Sequence, residues 1–125
     1  MPGIIPHLAT GVGFYLIGEV YYKYASKKKI NTGDHVLLLG VCLIFSLIPD
    51  FPLGLYYIFN LQPKEVLLEY HVFLHQIITP ISLIILGVLF FLRKNKRAPI
   101  FMLGMICIIV HVIMDLYIHE GGLWL

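Results

Sequence analysis

Residues 93–119 read RKNKRAPIFMLGMICIIVHVIMDLYIH, and this stretch decides the fold. A helix needs about 20 apolar residues to cross ~30 Å of hydrocarbon, and Pro99 to Ile118 supplies them. Arg93, Lys94, Lys96 and Arg97 stand at its threshold. Within and just beyond it, His111, Asp115 and His119 recur every four residues, which sets them along one helical face about 5–6 Å apart.

Three further apolar stretches of spanning length precede it: Leu8 to Tyr22, Val36 to Phe59 and Val72 to Leu92. Of 125 residues, 59% are hydrophobic and 13% charged, with a mean hydropathy of +0.88. Soluble domains run at about 45–50% apolar and ~25% charged. The expectation is therefore one all-α integral membrane domain over residues 1–125, a four-transmembrane-helix bundle with no room for a separate soluble domain. No internal repeat or low-complexity segment interrupts it.

Charge sets the orientation. Eight of the nine Lys and Arg residues lie in two short loops, Lys23 to Lys29 and Arg93 to Arg97, and basic short loops mark the cytoplasmic side. Both termini are then extracytoplasmic. The net charge of +2 is spent on these anchors, so no basic face remains to predict nucleic-acid binding. The start of the chain lacks the basic leader of a cleaved signal peptide, so the first helix is expected to be retained. Tyr21, Tyr22 and Tyr24 fall at the inner interface; Tyr56, Tyr57, Tyr70, Tyr117 and Trp124 fall toward the outer one, as aromatic belts do. Asn60 to Tyr70 reads as the short outer connection. Cys42 and Cys107 lie in apolar runs without a CxxC spacing and read as small core residues.

Local signals add detail. Asp34 is a candidate N-cap for the second helix, with Thr32 and Gly33 opening the turn. Glu19, four residues before Lys23, reads as half of a local ion pair. His35 falls at the inner boundary. Pro49 and Pro52 flank Asp50 and predict a break in the second helix. Backbone broken at membrane depth is tolerated where it is buried in protein or lines a wet cavity, which favours a site there.

Counting ~1.5 Å per residue from Val36, Asp50 lies about 21 Å into the membrane, in the outer third. On the descending third helix His75 lies about 6 Å below His71, and Asp115 stands at a comparable depth below His119 on the fourth. His7 opens the first helix on the same side. Seven groups able to bind a metal or move a proton thus converge at one membrane face: His7, Asp50, His71, His75, His111, Asp115 and His119. Ionisable groups in a bilayer are expensive and mark function by default. Imidazole and carboxylate without thiolate suit zinc, with manganese or iron as alternatives. Bland roles are open for some of them: His71 and His119 as interfacial hydrogen-bonding groups, His111 and Asp115 as a pair joining helices, Asp50 as a cap at the helix break.

The order of His7, Pro49-Asp50, His71-Val72-Phe73-Leu74-His75 and His111-Val112-Ile113-Met114-Asp115 resembles the family of LexA-binding, inner membrane-bound metal-dependent hydrolases, over nearly the whole chain. That family is in turn distantly similar to zinc-dependent phospholipase C. The resemblance implies His7, Asp50, His75, His111 and Asp115 as metal ligands and hydrolysis of a phosphoester as the activity. This chain departs from the family's His-Arg-Gly-x-Thr-His-Ser segment by a His spacing one residue shorter and by lacking the Arg and Ser, and it lacks the second acid that often follows the Pro-Asp. The leading expectation is a metal-dependent hydrolase at the extracytoplasmic face of the cell inner membrane. Asp50 or Asp115 would hold metal or act as base, and the substrate would be a phospholipid or another lipid-like phosphoester. A noncatalytic metal or proton carrier is the second reading, and bis-His haem ligation the third.

Overall fold

The computed structural model describes residues 4–26, 30–59 and 63–117, all in helices or the short links between them. Helix α1 (Ile4–Val20) runs into a π-helical turn, Tyr21–Ala25. Helix α2 (Thr32–Leu47) tightens into a 3-10 turn, Ile48–Asp50, and continues as α3 (Phe51–Phe59). Helices α4 (Lys64–Phe91) and α5 (Ala98–Tyr117) complete the bundle. Among the described residues, three helical runs, Thr32–Tyr56, Glu65–Phe91 and Ala98–Tyr117, are long and apolar enough to cross a membrane; α1 has 17 residues. Large apolar side chains such as Ile84, Phe91 and Leu116 are 67%, 86% and 66% exposed, a surface that lipid accepts and water does not. The chain is a membrane protein.

Helix α2 sits centrally between α1 and α5, and α4 lies outside against α5 and α3. Leu38, Cys42, Ile100 and Cys107 are fully buried at the core, and both cysteines are free thiols. With no hydrophobic drive between helices in lipid, close approach depends on small residues at the crossings. A Cβ on Gly11 would stand 2.7 Å from Ser46 Oγ and 2.9 Å from the Cys42 carbonyl oxygen. A Cβ on Gly104 would collide with the side chains of Phe45 and Val41. These glycines bring α1 and α5 down onto the same turns of α2.

Several local expectations change. The N-cap of α2 is Asn31, not Asp34: the Asp34 N–H donates to Asn31 Oδ1 at 2.8 Å and the Asp34 carboxylate accepts the Asn31 N–H. Thr32 and Gly33 accordingly lie inside the first turn. Glu19 pairs with His35 across α1 and α2, Oε1 to Nδ1 at 2.5 Å, instead of with Lys23. Lys23 lies in the π turn that begins at Tyr21, and its ammonium stands 5.1 Å from the Tyr24 ring centroid. The expected break at Pro49 to Pro52 is a local tightening within one helical run, because each proline falls early in a new helical segment where its missing N–H is not needed. Most of the expected connection Asn60 to Tyr70 is helical: Pro63 holds an extended φ/ψ of −83°/143°, and α4 starts directly after it. His71 therefore lies about 10 Å inside its helix and not at the start. His119 and Trp124 lie outside the described residues.

Candidate metal centre

Helical periodicity accounts for each contribution to the site. His7 and Gly11 share a face of α1, so the close approach at Gly11 presses the His7 imidazole into the bundle, where it is fully buried. Gly104 lies two turns before His111 and does the same for α5. The tightened turn raises Asp50 into the same space at 3% exposure. His71 and His75 enter from α4 at 1% and 14%, and Asp115 follows His111 by one turn at 6%. Six of the seven residues singled out in the sequence thus meet at one point, including His71, for which an interfacial role was open.

Two hydrogen bonds fix the orientation of the rings. A backbone carbonyl only accepts, so the His111 Nδ1–H donates to the Ser46 carbonyl (2.6 Å) and the His75 Nδ1–H donates to the His71 carbonyl (2.9 Å). Pro49 has no N–H to give back to the preceding turn, and the 3-10 bonding after it frees carbonyls there, so the Ser46 oxygen is open to a side chain. Both imidazoles consequently aim Nε2 inward. His111 Nε2 faces Asp50 Oδ1 at 3.4 Å and Asp115 Oδ2 at 3.3 Å. His75 Nε2 faces Asp115 Oδ2 at 2.7 Å and Asp50 Oδ1 at 3.8 Å. A ring held by a carbonyl at one nitrogen and free at the other, as His111 is, has the usual outer-shell support of a metal-bound histidine, whereas His75 Nε2 is hydrogen-bonded to Asp115.

The remaining distances follow a pattern. His7 Nε2 stands 3.5 Å from Asp50 Oδ2 and 3.4 Å from Asp115 Oδ1, and His71 Nδ1 stands 3.4 Å from Asp50 Oδ1. Hydrogen bonds of this type centre on ~2.9 Å, whereas two donors each ~2.0–2.1 Å from one tetrahedral ion lie about 3.3–3.4 Å apart. Five His–Asp separations fall between 3.3 and 3.5 Å. Among the described residues, eight buried side-chain nitrogen or oxygen atoms lack a hydrogen bond, and all belong to this cluster: both nitrogens of His7 and of His71, both oxygens of Asp50, His111 Nε2 and Asp115 Oδ1. Each such atom left unsatisfied costs ~1–3 kcal/mol, so their concentration marks a place where one shared partner would relieve several at once. A divalent cation is the partner that suits lone pairs on nitrogen and oxygen together.

Two overlapping sets of donors can each hold one ion: His7, Asp50, His111 and Asp115, and Asp50, His71, His75 and Asp115, with the atoms of each set within 4.8 Å of one another. Asp50 and Asp115 belong to both sets. The first set is closed in; the second adjoins a cleft of about 360 Å³ between α4 and α5, lined in part by His71, His75 and Asp115.

Reading the sequence missed Ser46, Gly11 and Gly104. The two glycines carry a signal, since each falls at helical spacing from a site histidine. Ser46 carries none, because the contribution is a backbone oxygen freed by its neighbours. No family model, curated protein or solved structure matches this chain.

Proposed function

We propose that this chain is a membrane-embedded metal-dependent hydrolase acting on a phosphoester with a lipid-like body. The observation that carries the reading is the set of eight unsatisfied buried donor atoms around two shared carboxylates. Zinc is the ion of choice for this nitrogen and oxygen set, with manganese and iron as alternatives. Held by these side chains, divalent metal would supply an activated water of pKa about 7 and a positive charge beside the phosphoester oxygens. His7 and His111 complete the enclosed position. His71 and His75 complete the one beside the cleft, and Asp50 or Asp115 would either hold metal or take a proton from the attacking water. The order of the ligand motifs, like that of the LexA-binding membrane hydrolases, supports the same reading.

The topology belongs to this proposal: α1 as a fourth span, both termini extracytoplasmic, and the centre opening toward the outer face of the cell inner membrane. Basic residues Lys23, Arg93, Lys94, Lys96 and Arg97 at the opposite end of the bundle support it. Impermeant maleimide should label Glu65→Cys and not Lys94→Cys in intact cells; the reverse pattern would turn the site toward the cytoplasm.

Elemental analysis tests the centre itself. Protein purified without chelator and supplied with zinc should carry about two equivalents, and less than ~0.1 equivalent would remove the metal reading. The loaded protein should hydrolyse bis(p-nitrophenyl) phosphate and lose that activity in Asp115→Ala. Metal binding with no hydrolysis of any phosphoester would favour the carrier reading, which the enclosed His7 and His111 position also fits.

A further inference from the structure

The cleft beside the second donor set lies in the groove between α4 and α5. Val72, Gln76, Val112 and Leu116 line it together with His71, His75 and Asp115, all from α4 and α5. Val72 and Leu116 are 47% and 66% exposed on the surface that meets lipid. An acyl chain in the bilayer and the half-buried His75 imidazole are thus separated by the depth of the cleft alone.

Gln76 is the second observation. It is exposed, and it lies about 18 Å along a helix ~42 Å long, near the level of the hydrocarbon core. A polar amide facing hydrocarbon without a partner is unfavourable by a few kcal/mol. Pro80 in the next turn has no N–H to give to the Gln76 carbonyl, which adds a free acceptor on the same side. A polar amide beside an apolar cleft that ends on metal-binding side chains has the profile of a ligand pocket, largely apolar with a few placed polar groups.

We infer that the α4/α5 cleft is a lateral doorway through which a bilayer lipid carrying a phosphate ester reaches the His71 and His75 side of the centre. The lipid passes between Val72, Val112 and Leu116, and the Gln76 amide donates to a headgroup oxygen. This rests on the hydrolase reading for what happens to the ester, but not for the binding itself.

The test uses phosphatidic acid with a diazirine on one acyl chain, presented to the zinc-loaded full chain in dodecyl maltoside, a phosphate-free detergent. Cross-links should concentrate on Val72, Val112 and Leu116 over Leu83 and Ile84 of α4, which are as exposed as Val72 and Leu116 and more exposed than Val112. Val112→Trp narrows the cleft without replacing a ligand and should lower this labelling about tenfold or more, while the zinc-dependent rise in melting temperature stays. If Val112→Trp does not fold, Leu116→Trp at the exposed rim takes its place. Gln76→Leu should weaken labelling by a smaller factor. Labelling spread evenly over α4, or unmoved by the Trp variants, overturns the doorway. Hydrolysis of bis(p-nitrophenyl) phosphate is read alongside. If it persists while labelling is even, the doorway falls and the hydrolase stands. If labelling concentrates and nothing is hydrolysed, the doorway stands and the hydrolase reading falls.

Discussion

Asp34 and Asp50 are two equally buried carboxylates at opposite ends of α2, 1% and 3% exposed. Around Asp34 every valence is used. Lys96 Nζ stands 2.6 Å from Oδ2, the Arg97 Nε–H donates to Oδ1 at 3.1 Å, and the Asn31 backbone N–H completes the set. Tyr22 Oη–H ties the same corner by donating to the Lys96 carbonyl at 2.9 Å. Around Asp50 there are four histidines and another carboxylate, and neither oxygen of Asp50 has a hydrogen bond. Burial alone therefore does not distinguish a structural acid from a functional one. What distinguishes them is whether the protein supplies hydrogen-bond partners: Asp34 has them, and both oxygens of Asp50 are left without one beside nitrogens and a carboxylate that could hold a cation.

The largest effect that would break this comparison is on metal-linked stability. At a free zinc concentration about 1,000 times the dissociation constant, the folded state should gain ~4 kcal/mol, read as a rise in melting temperature. Asp115→Ala or Asp50→Ala should abolish most of that rise. The double variant should lose less than the sum, because both residues serve the same ions. An unchanged zinc-dependent rise in both single variants would return the cluster to the role of interhelical polar contact, worth only ~0.6 kcal/mol on average.

In excess chelator the two ends should respond with opposite sign. Asp50→Asn removes an uncompensated buried charge and should raise the melting temperature of the metal-free protein. Asp34→Asn weakens a satisfied ion pair and should lower it, with the zinc-dependent increment intact. A fall in both would mean that the Asp50 end is satisfied within the protein.

A smaller effect sharpens the link from packing to the site. Gly104→Leu would push α5 off Phe45 and Val41 and misalign His111 with the Ser46 carbonyl. Zinc affinity should drop about tenfold, the lower end of what outer-shell disturbance produces, although no ligand is altered. Isothermal titration of the folded variant measures it, and unchanged affinity would show that His111 is oriented by other means.

The smallest effect belongs to His35. Its pair with Glu19 is partly solvated, with side chains 39% and 28% exposed, so His35→Ala should cost no more than ~1 kcal/mol and leave zinc titration unchanged. Any loss of zinc stoichiometry there would contradict the separation of the two ends.

The amino-acid sequence by itself determined the solvent and the meeting place. Apolar runs of spanning length require lipid, basic loops mark one end, and the four-residue spacing of His71 and His75, and of His111 and Asp115, sets each pair on one helical face. Those are one-dimensional rules, because a helix converts sequence interval directly into direction and depth. The N-cap at Asn31, the Glu19 partner and the start of α4 at Lys64 were not legible in this way, since neighbouring residues compete for each role and the winner depends on what packs alongside. Tertiary structure alone decided the chemistry of the centre. It selected Nε2 of His75 and His111 as the inward nitrogen through carbonyls contributed by His71 and by Ser46 of α2. It also made Asp50 and Asp115 common to two donor sets, because the glycine crossings bring α1 and α5 within a few ångströms of a tightened turn in α2. No interval along the chain encodes a distance between atoms on different helices; packing at those glycines does.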